Sequence, residues 1–353
     1  MHTIVLDASG DDEDWTALRA AAAASIELDV DLLVIADKPA AWRVLRSLPF
    51  DAERLSILDI REDVLAGAPS NNGAQNPTLP GIPSRHELSV ATGLHHLAAH
   101  PGSTFISTHD YAALVRLAPH FLSYLPTIKQ PALAAVYPTL RRHGTRRDPF
   151  ALLLDVGATA RCSDGDLLRF ASMGSVYASL ITGNERPTVV LLANATHPDR
   201  WPKRLRRAHR WLTEAPLPFD YLGPMRADRV TLGEADVIVT DGFTGDILLR
   251  TLEGVADTAE RLLTEARERF RFRVGFSLLG SGIERLRELT DWQNYGGAPL
   301  LGFDRTLIVT HQRSTRRAIF NSIRLARKLY RMDLQSHMLQ ALDHLAVTRP
   351  SDL

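Results

Sequence analysis

Two short apolar runs, Ala151–Val156 and Thr188–Ala193, constrain the fold more than any other feature. Each is too short for a stable helix, and neither shows the strict apolar–polar alternation of a strand with one wet face. Strands buried on both faces read this way, and they belong to parallel sheets covered by helices. The helical stretch Leu167–Ile181 separates the two runs. The same alternation extends along the chain. Strands are predicted at Thr3–Leu6, Leu32–Ala36, Leu55–Leu58, Thr104–Ser107, Asp220–Leu222, Asp236–Thr240 and Leu307–Thr310. Helices are predicted at Trp15–Leu28, Ala40–Leu48, Leu88–Ala99, Tyr111–Ala118, Lys203–Glu214, Ile247 to Arg269 and Arg316–Arg331. Ala66–Ser84 reads as a long loop and Leu140–Pro149 as a basic, turn-rich connector. The expected fold class is α/β, a three-layer α/β/α arrangement around a mostly parallel sheet with right-handed crossovers.

Composition narrows the function. Lys plus Arg and Asp plus Glu are both 41, so the net charge is zero, against the basic excess of a nucleic-acid binder. Cys162 is the only cysteine, which excludes an internal disulfide framework and a multi-cysteine zinc site. No apolar run approaches the ~20 residues of a membrane span. The opening MHTIVLDASG turns acidic before a signal-peptide core develops, so a cytoplasmic protein is expected. The charge is unevenly spread. Residues 1–70 hold fourteen acids and six bases, whereas residues 305–332 hold eight bases and no acid. Lysines are scarce, only Lys38, Lys129, Lys203 and Lys328, which limits lysine-based catalysis.

Ligands in open α/β sheets bind beyond the carboxyl ends of strands. Three such ends carry an acid beside small residues: Asp7-Ala-Ser-Gly10, Asp155-Val-Gly-Ala158 and Asp241-Gly-Phe-Thr-Gly245. The third has the form of a phosphate cradle, in which Gly242, Thr244 and Gly245 stand between a strand and a helix start. It also has the form of a plain turn with Asp241 or Thr244 as cap. Neither GxGxxG nor GxxxxGK[ST] occurs. Asn294-Tyr-Gly-Gly-Ala-Pro-Leu-Leu-Gly302 is a further glycine-rich turn.

Taken together and in order, Leu152–Ala158, Met173-Gly-Ser-Val-Tyr177, Ala235–Gly245 with Thr251-Leu-Glu-Gly254, and Asn294–Gly302 resemble the bacterial phosphate acyltransferases of phospholipid synthesis, the PlsX family. The resemblance covers residues 1–331 as a single domain, with a protruding helical segment at about 262–292 and a C-terminal extension at 332–353. It implies an isocitrate dehydrogenase-like, phosphate acetyltransferase-like fold and a homodimer. The reaction it implies passes the acyl group of acyl-acyl carrier protein to inorganic phosphate, without metal or other cofactor. Phosphate would sit among Asp241, Gly242, Thr244 and Gly245, over a floor of Asp155, Gly157 and Ala158. Asn294, Gly296 and Gly297 would shape the far wall.

Several polar motifs depart from the family pattern. The family's DAMGGD loop falls on Asp7-Ala-Ser-Gly-Asp-Asp12, and its SAGNTGA loop on Ser107–Ala113, where His109 and Ala112 replace glycines. A family Lys-Lys pair falls near Arg85 and His86, and other site positions fall on Arg161 and Arg226. Two readings therefore stay open: an active transferase with arginines in place of the family's cations, or a catalytically weak paralogue serving as a scaffold for acyl carrier protein or another partner. His109 beside Asp110 has the form of a general base, and His96 with His100 that of an i, i+4 metal pair. Adjacent residues on one chain seldom face the same point, which weighs against the first, and with no third ligand in view a solvated helix face is the stronger reading of the second. Phe276, Leu279, Ile283 and Leu286 recur at helical spacing among arginines, a face suited to a dimer partner or an anionic membrane surface. The basic helix Arg316–Arg331 suits an acidic acyl carrier protein, or is simply a solvated basic face.

Overall fold

The computed structural model describes residues 2–9, 14–60, 84–109, 111–143, 148–194, 197–268, 296–310 and 314–348. The chain forms two compact units. One comprises Met1–Ala135 and Gln293–Leu353, the other Val136–Trp292.

In the first unit, β1 (Thr3–Asp7), β2 (Asp31–Ala36), β3 (Leu55–Asp59), β4 (Ser103–Ser107) and β11 (Leu307–Val309) run parallel in the order β3-β2-β1-β4-β11. Beyond β11 lies β10 (Ala298–Leu301), antiparallel both to β11 and to the start of β5 (Ala132–His143). Ile4, Val5 and Leu6 of β1 are wholly buried, as a central parallel strand requires. Its helices are α1 (Thr16–Glu27), α2 (Lys38–Leu45), α3 (Arg85–Ala99), α4 (Tyr111–Phe121), α8 (Arg316–Arg331) and α9 (Leu334–Thr348). The alanine run of α1 favours helix and lets it pack closely on α8. A capping box starts α3: Ser84 N donates to Glu87 Oε2 at 2.8 Å, and Glu87 N donates to Ser84 Oγ at 3.2 Å. Leu334, Met338, Leu342 and Leu345 of α9 are buried, so this stretch packs as an apolar face.

In the second unit β6 (Asp148–Leu154), β9 (Val237–Val239), β7 (Thr188–Ala193) and β8 (Asp220–Arg226) lie parallel in that order, with the later part of β5 beside β6. Its helices are α5 (Asp164–Thr182), α6 (Lys203–Glu214) and α7 (Gly242–Glu268). A second capping box, Ser163 with Asp166, starts α5, and Gly183 at φ 74° ends it.

The α/β class and most of the predicted elements are present. Two corrections concern strands. Leu140–His143 continues β5 and Asp148–Pro149 begins β6, so the expected connector shrinks to 144–147, outside the described residues. The Gly-rich stretch after Asn294 contains β10 rather than turn alone. Pro138 and Pro299 hid these strands, because a proline lacks the N–H a ladder uses. Most of the predicted loop Ala66–Ser84 also lies outside the described residues.

Two helix glycines of the second unit give opposite expectations. A Cβ on Gly174 of α5 would stand 2.6 Å from Val237 Cγ1, whereas one on Gly254 of α7 would meet nothing within 4 Å. Gly174→Ala should therefore cost about 1–3 kcal/mol by overpacking, and Gly254→Ala should stabilise by about 0.5–1 kcal/mol through helix propensity. Urea titrations of the two variants check this, and shifts of the same sign would contradict it.

Candidate functional site

At the carboxyl edge of the second unit's parallel sheet two turns meet, one leaving β6 and the other leaving β9. Asp155, the first residue past β6, is wholly buried. Its carboxylate accepts the N–H groups of Gly157 at 3.1 Å, Ala158 at 2.9 Å and Thr159 at 2.8 Å, together with Thr159 Oγ1 at 2.8 Å. A buried carboxylate needs such donors, since an unpaired one would cost several kcal/mol (on the order of 3–5). Gly157 sits at φ 133°, a conformation that glycine alone adopts readily.

The second turn starts α7. Asp241 Oδ1 accepts Thr244 N at 3.0 Å and Thr244 Oγ1 at 2.9 Å, and the Asp241 carbonyl accepts Gly245 N at 2.9 Å. That is the N-cap arrangement. The two turns interlock through glycines. A Cβ on Gly242 would strike the Thr159 carbonyl and stand 2.6 Å from Asp155 Oδ2, and one on Gly245 would strike the Asp155 carbonyl. Hence Asp155, Gly157 and Ala158 form one corner with Asp241, Gly242, Thr244 and Gly245.

The donors are unevenly committed. The N–H groups of Gly157, Ala158 and Thr244 go to the two aspartates. Those of Gly242 and Phe243, the first two of α7, have no partner among the described residues. The helix start gives them partial positive charge. Arg204 of α6 completes the corner, its Nη2 donating to Asp241 Oδ2 at 2.6 Å. Its remaining guanidinium N–H groups have no partner among the described residues. The corner can thus offer a small anion two backbone donors and a partly exposed guanidinium. Arg204 was not singled out in the sequence, although a signal existed. Lys203, Arg204, Arg206 and Arg207 crowd the start of α6, where the helix dipole disfavours cations.

The other expected site residues lie elsewhere. Gly296 and Gly297 belong to the first unit. A Cβ on Gly296 would approach Asn321 O to 3.0 Å, and one on Gly297 would come 2.5 Å from Ile308 Cγ2, so both permit close packing on α8 and β11. Asn294, Phe276, Leu279, Ile283, Leu286 and Asp110 lie outside the described residues. Arg161 is exposed, and Arg226 pairs with Asp228 at 2.9 Å. His96 of α3, half-buried, and His100, its exposed C-cap, stack at 4.0 Å. An open groove of about 470 Å³ lined by His209, Phe219, Tyr221 and Leu222 adjoins the amino ends of β7 and β8. It is on the side opposite the corner, away from where parallel sheets bind ligands.

A scan against known families matches the chain over residues 2–337 to the family described as "Fatty acid synthesis protein". Among curated proteins it is 30% identical over 316 residues to a phosphate acyltransferase of Caldanaerobacter subterraneus, covering 89% of each chain. It is 36% identical over 270 residues to a phosphate acyltransferase of Myxococcus xanthus, covering 76% of this chain and 74% of that one. Among solved structures, a phosphotransacetylase from Streptococcus pyogenes superposes with a TM-score of 0.57 at 15% identity, covering 97% of this chain and 94% of that one. That likeness is one of fold.

Cys162 lies close to the corner. Burial pushes its thiol up to about 12, and the charges of Asp241, Asp166 and Asp155 add to the shift against the opposing Arg204. A raised acid pKa keeps the thiol protonated in the folded chain, and ionisation above pH 9 favours the unfolded chain. Iodoacetamide at neutral pH should therefore label Cys162 far more slowly in the folded protein than in urea. Equal rates would show the thiol to be accessible and ionisable.

Proposed function

The chain belongs to the family of fatty acid synthesis proteins, and from that membership we propose that it is a phosphate acyltransferase, transferring the acyl group of acyl-acyl carrier protein to inorganic phosphate. A phosphate oxygen attacks the thioester carbonyl, the C–O bond forms, and the C–S bond breaks. The proton carried by the phosphate ends on the released carrier thiol. The observation that carries the site assignment is the corner at the start of α7, where Gly242 and Phe243 N–H groups stand beside the Arg204 guanidinium. Phosphate needs such a cradle because its charge must be offset before it can approach the carbonyl. Asp155 and Asp241 build the cradle by fixing the turns.

Two surfaces suit the partners. The exposed side of α8 presents Arg316, Arg317, Arg324, Lys328 and Arg331, a basic face for an acidic acyl carrier protein. Along α7, Phe243, Ile247, Val255 and Leu262 are each at least half exposed and fall within about 120° of the helix circumference at 100° per residue. A second copy of the chain would cover this stripe, which makes the working form a homodimer. The sequence face of Phe276, Leu279, Ile283 and Leu286 is proposed to contact a dimer partner or an anionic membrane surface. No described helix is long and apolar enough to cross a membrane.

The altered N-terminal motifs favour a second reading, a weak paralogue acting as a scaffold, and one assay separates the two. Purified protein with acyl-acyl carrier protein and phosphate should yield acyl phosphate. Absence of product beside an active control enzyme would reject the transferase reading. With product formed, Arg204→Ala should raise KM for phosphate about tenfold, the ~1.4 kcal/mol of a charge-assisted hydrogen bond. An unchanged KM would remove Arg204 from the site. Sedimentation should give a dimer for the native chain and a monomer for Val255→Lys with Leu262→Lys. A dimer that persists in that variant would place the interface elsewhere.

A further inference from the structure

The first unit carries its own constellation at the carboxyl edge of its sheet. Strand order β3-β2-β1-β4 means that the chain builds outward from β1 on one side, then crosses to the other. The crevice between the ends of β1 and β4 is therefore a topological switch point, the place where open α/β sheets accept ligands. Asp7 ends β1, His109 follows β4, and His86 stands in the first turn of α3. One suitable atom from each lies within 4.8 Å of the others, and no other trio of His, Cys, Asp or Glu among the described residues comes together in this way.

Two of the three edges match those of a ligand shell, and the third is within 4.8 Å. Asp7 Oδ2 is 3.2 Å from His109 Nδ1 and 3.4 Å from His86 Nδ1. Tetrahedral bonds of 2.0–2.1 Å to one ion imply ligand–ligand edges of about 3.3–3.4 Å. The carboxylate is also oriented. Its other oxygen, Oδ1, accepts Ser9 N at 3.0 Å, Ser9 Oγ at 2.7 Å and Ser89 Oγ at 2.6 Å, which turns Oδ2 toward the imidazoles. Such outer partners are what fix a metal ligand in place. Ser89 and His86 share one face of α3 at i, i+3 spacing.

His86 supplies a second, independent observation. Both of its ring nitrogens are shielded from solvent and neither has a hydrogen-bond partner. Its approach to Asp7 is within ion-pair reach but off hydrogen-bond alignment. Buried polar atoms are ordinarily satisfied, and an orphaned pair beside a buried carboxylate calls for a missing partner.

We propose that Asp7, His86 and His109 form a binding site for a divalent transition metal ion of the Zn²⁺ class. Two imidazoles and one carboxylate select such ions over Mg²⁺ or Ca²⁺, which take oxygen ligands. Three protein ligands leave a fourth position for water or an oxyanion. The start of α3 disfavours a cation, and the Asp7 charge offsets that. The site departs from the sequence expectation of a metal-free protein and falls on the altered family motifs, so its test reads metal binding and not acyl transfer.

Untagged, chelator-treated protein titrated with Co²⁺ should bind one equivalent per chain, with the intense visible bands of a low-coordinate site, and Zn²⁺ should displace it. His86→Gln and His109→Gln should each weaken binding at least tenfold. His96→Gln with His100→Gln, which removes the stacked pair, should leave it unchanged. X-ray absorption of the Zn²⁺-loaded native protein gives a measurement that needs no variant, and should show two imidazoles in the first shell. Failure to bind one equivalent, binding that survives both His86→Gln and His109→Gln, or a first shell without imidazole would overturn the proposal and leave the trio a structural ion cluster.

Discussion

A buried carboxylate at the carboxyl end of a parallel strand organises each unit. Asp7 closes β1 and Asp155 follows β6, both wholly removed from solvent. A charge in that position forces the next residues to turn back and donate to it. Ser9 does so for Asp7, and Gly157, Ala158 and Thr159 do so for Asp155. The turns are therefore shaped by electrostatic need before any ligand is considered. The glycines of the α7 turn then let its backbone close onto the Asp155 turn, where a side chain would collide. What is left over at each edge becomes the place where something else can bind: two helix-start donors and a guanidinium in one unit, two imidazoles in the other.

This order of causes explains how much the sequence reveals. Helices α6 and α8 are legible to their ends because their apolar residues recur at helical spacing among arginines. β7 is legible because Thr188–Ala193 is apolar without interruption. β5 and β10 were missed because Pro138 and Pro299 read as breaks, although pairing with neighbours holds both stretches extended. The strand-end aspartates announce themselves as acids beside small residues. Their partners do not. Arg204 reaches Asp241 across 37 positions from another helix, and His86 reaches Asp7 across 79. Local pattern carries no information about such meetings, which arise from the strand order.

The balance of 41 acids and 41 bases is likewise a sum of unlike parts. The first seventy residues are acidic and α8 is basic, yet both belong to one unit, where Asp29 takes Arg54 at 2.8 Å and lies 3.5 Å from Arg331. Some of the excess charge is consumed internally. The outward side of α8 is nonetheless the basic face proposed for a partner.

The first unit is assembled from the two ends of the chain, with the second unit's residues lying between them in sequence. Its sheet needs β11 to pair with β4, and β11 begins at Leu307. During synthesis, β1 to β4 leave the ribosome long before that segment exists, and the side of β4 that will receive β11 waits uncovered. Exposed strand edges invite wrong pairing. The second unit, continuous in sequence, can complete first. Any truncation that removes the last fifty residues would leave that edge open for good, so the chain's final segment acts as the closing piece for its opening one.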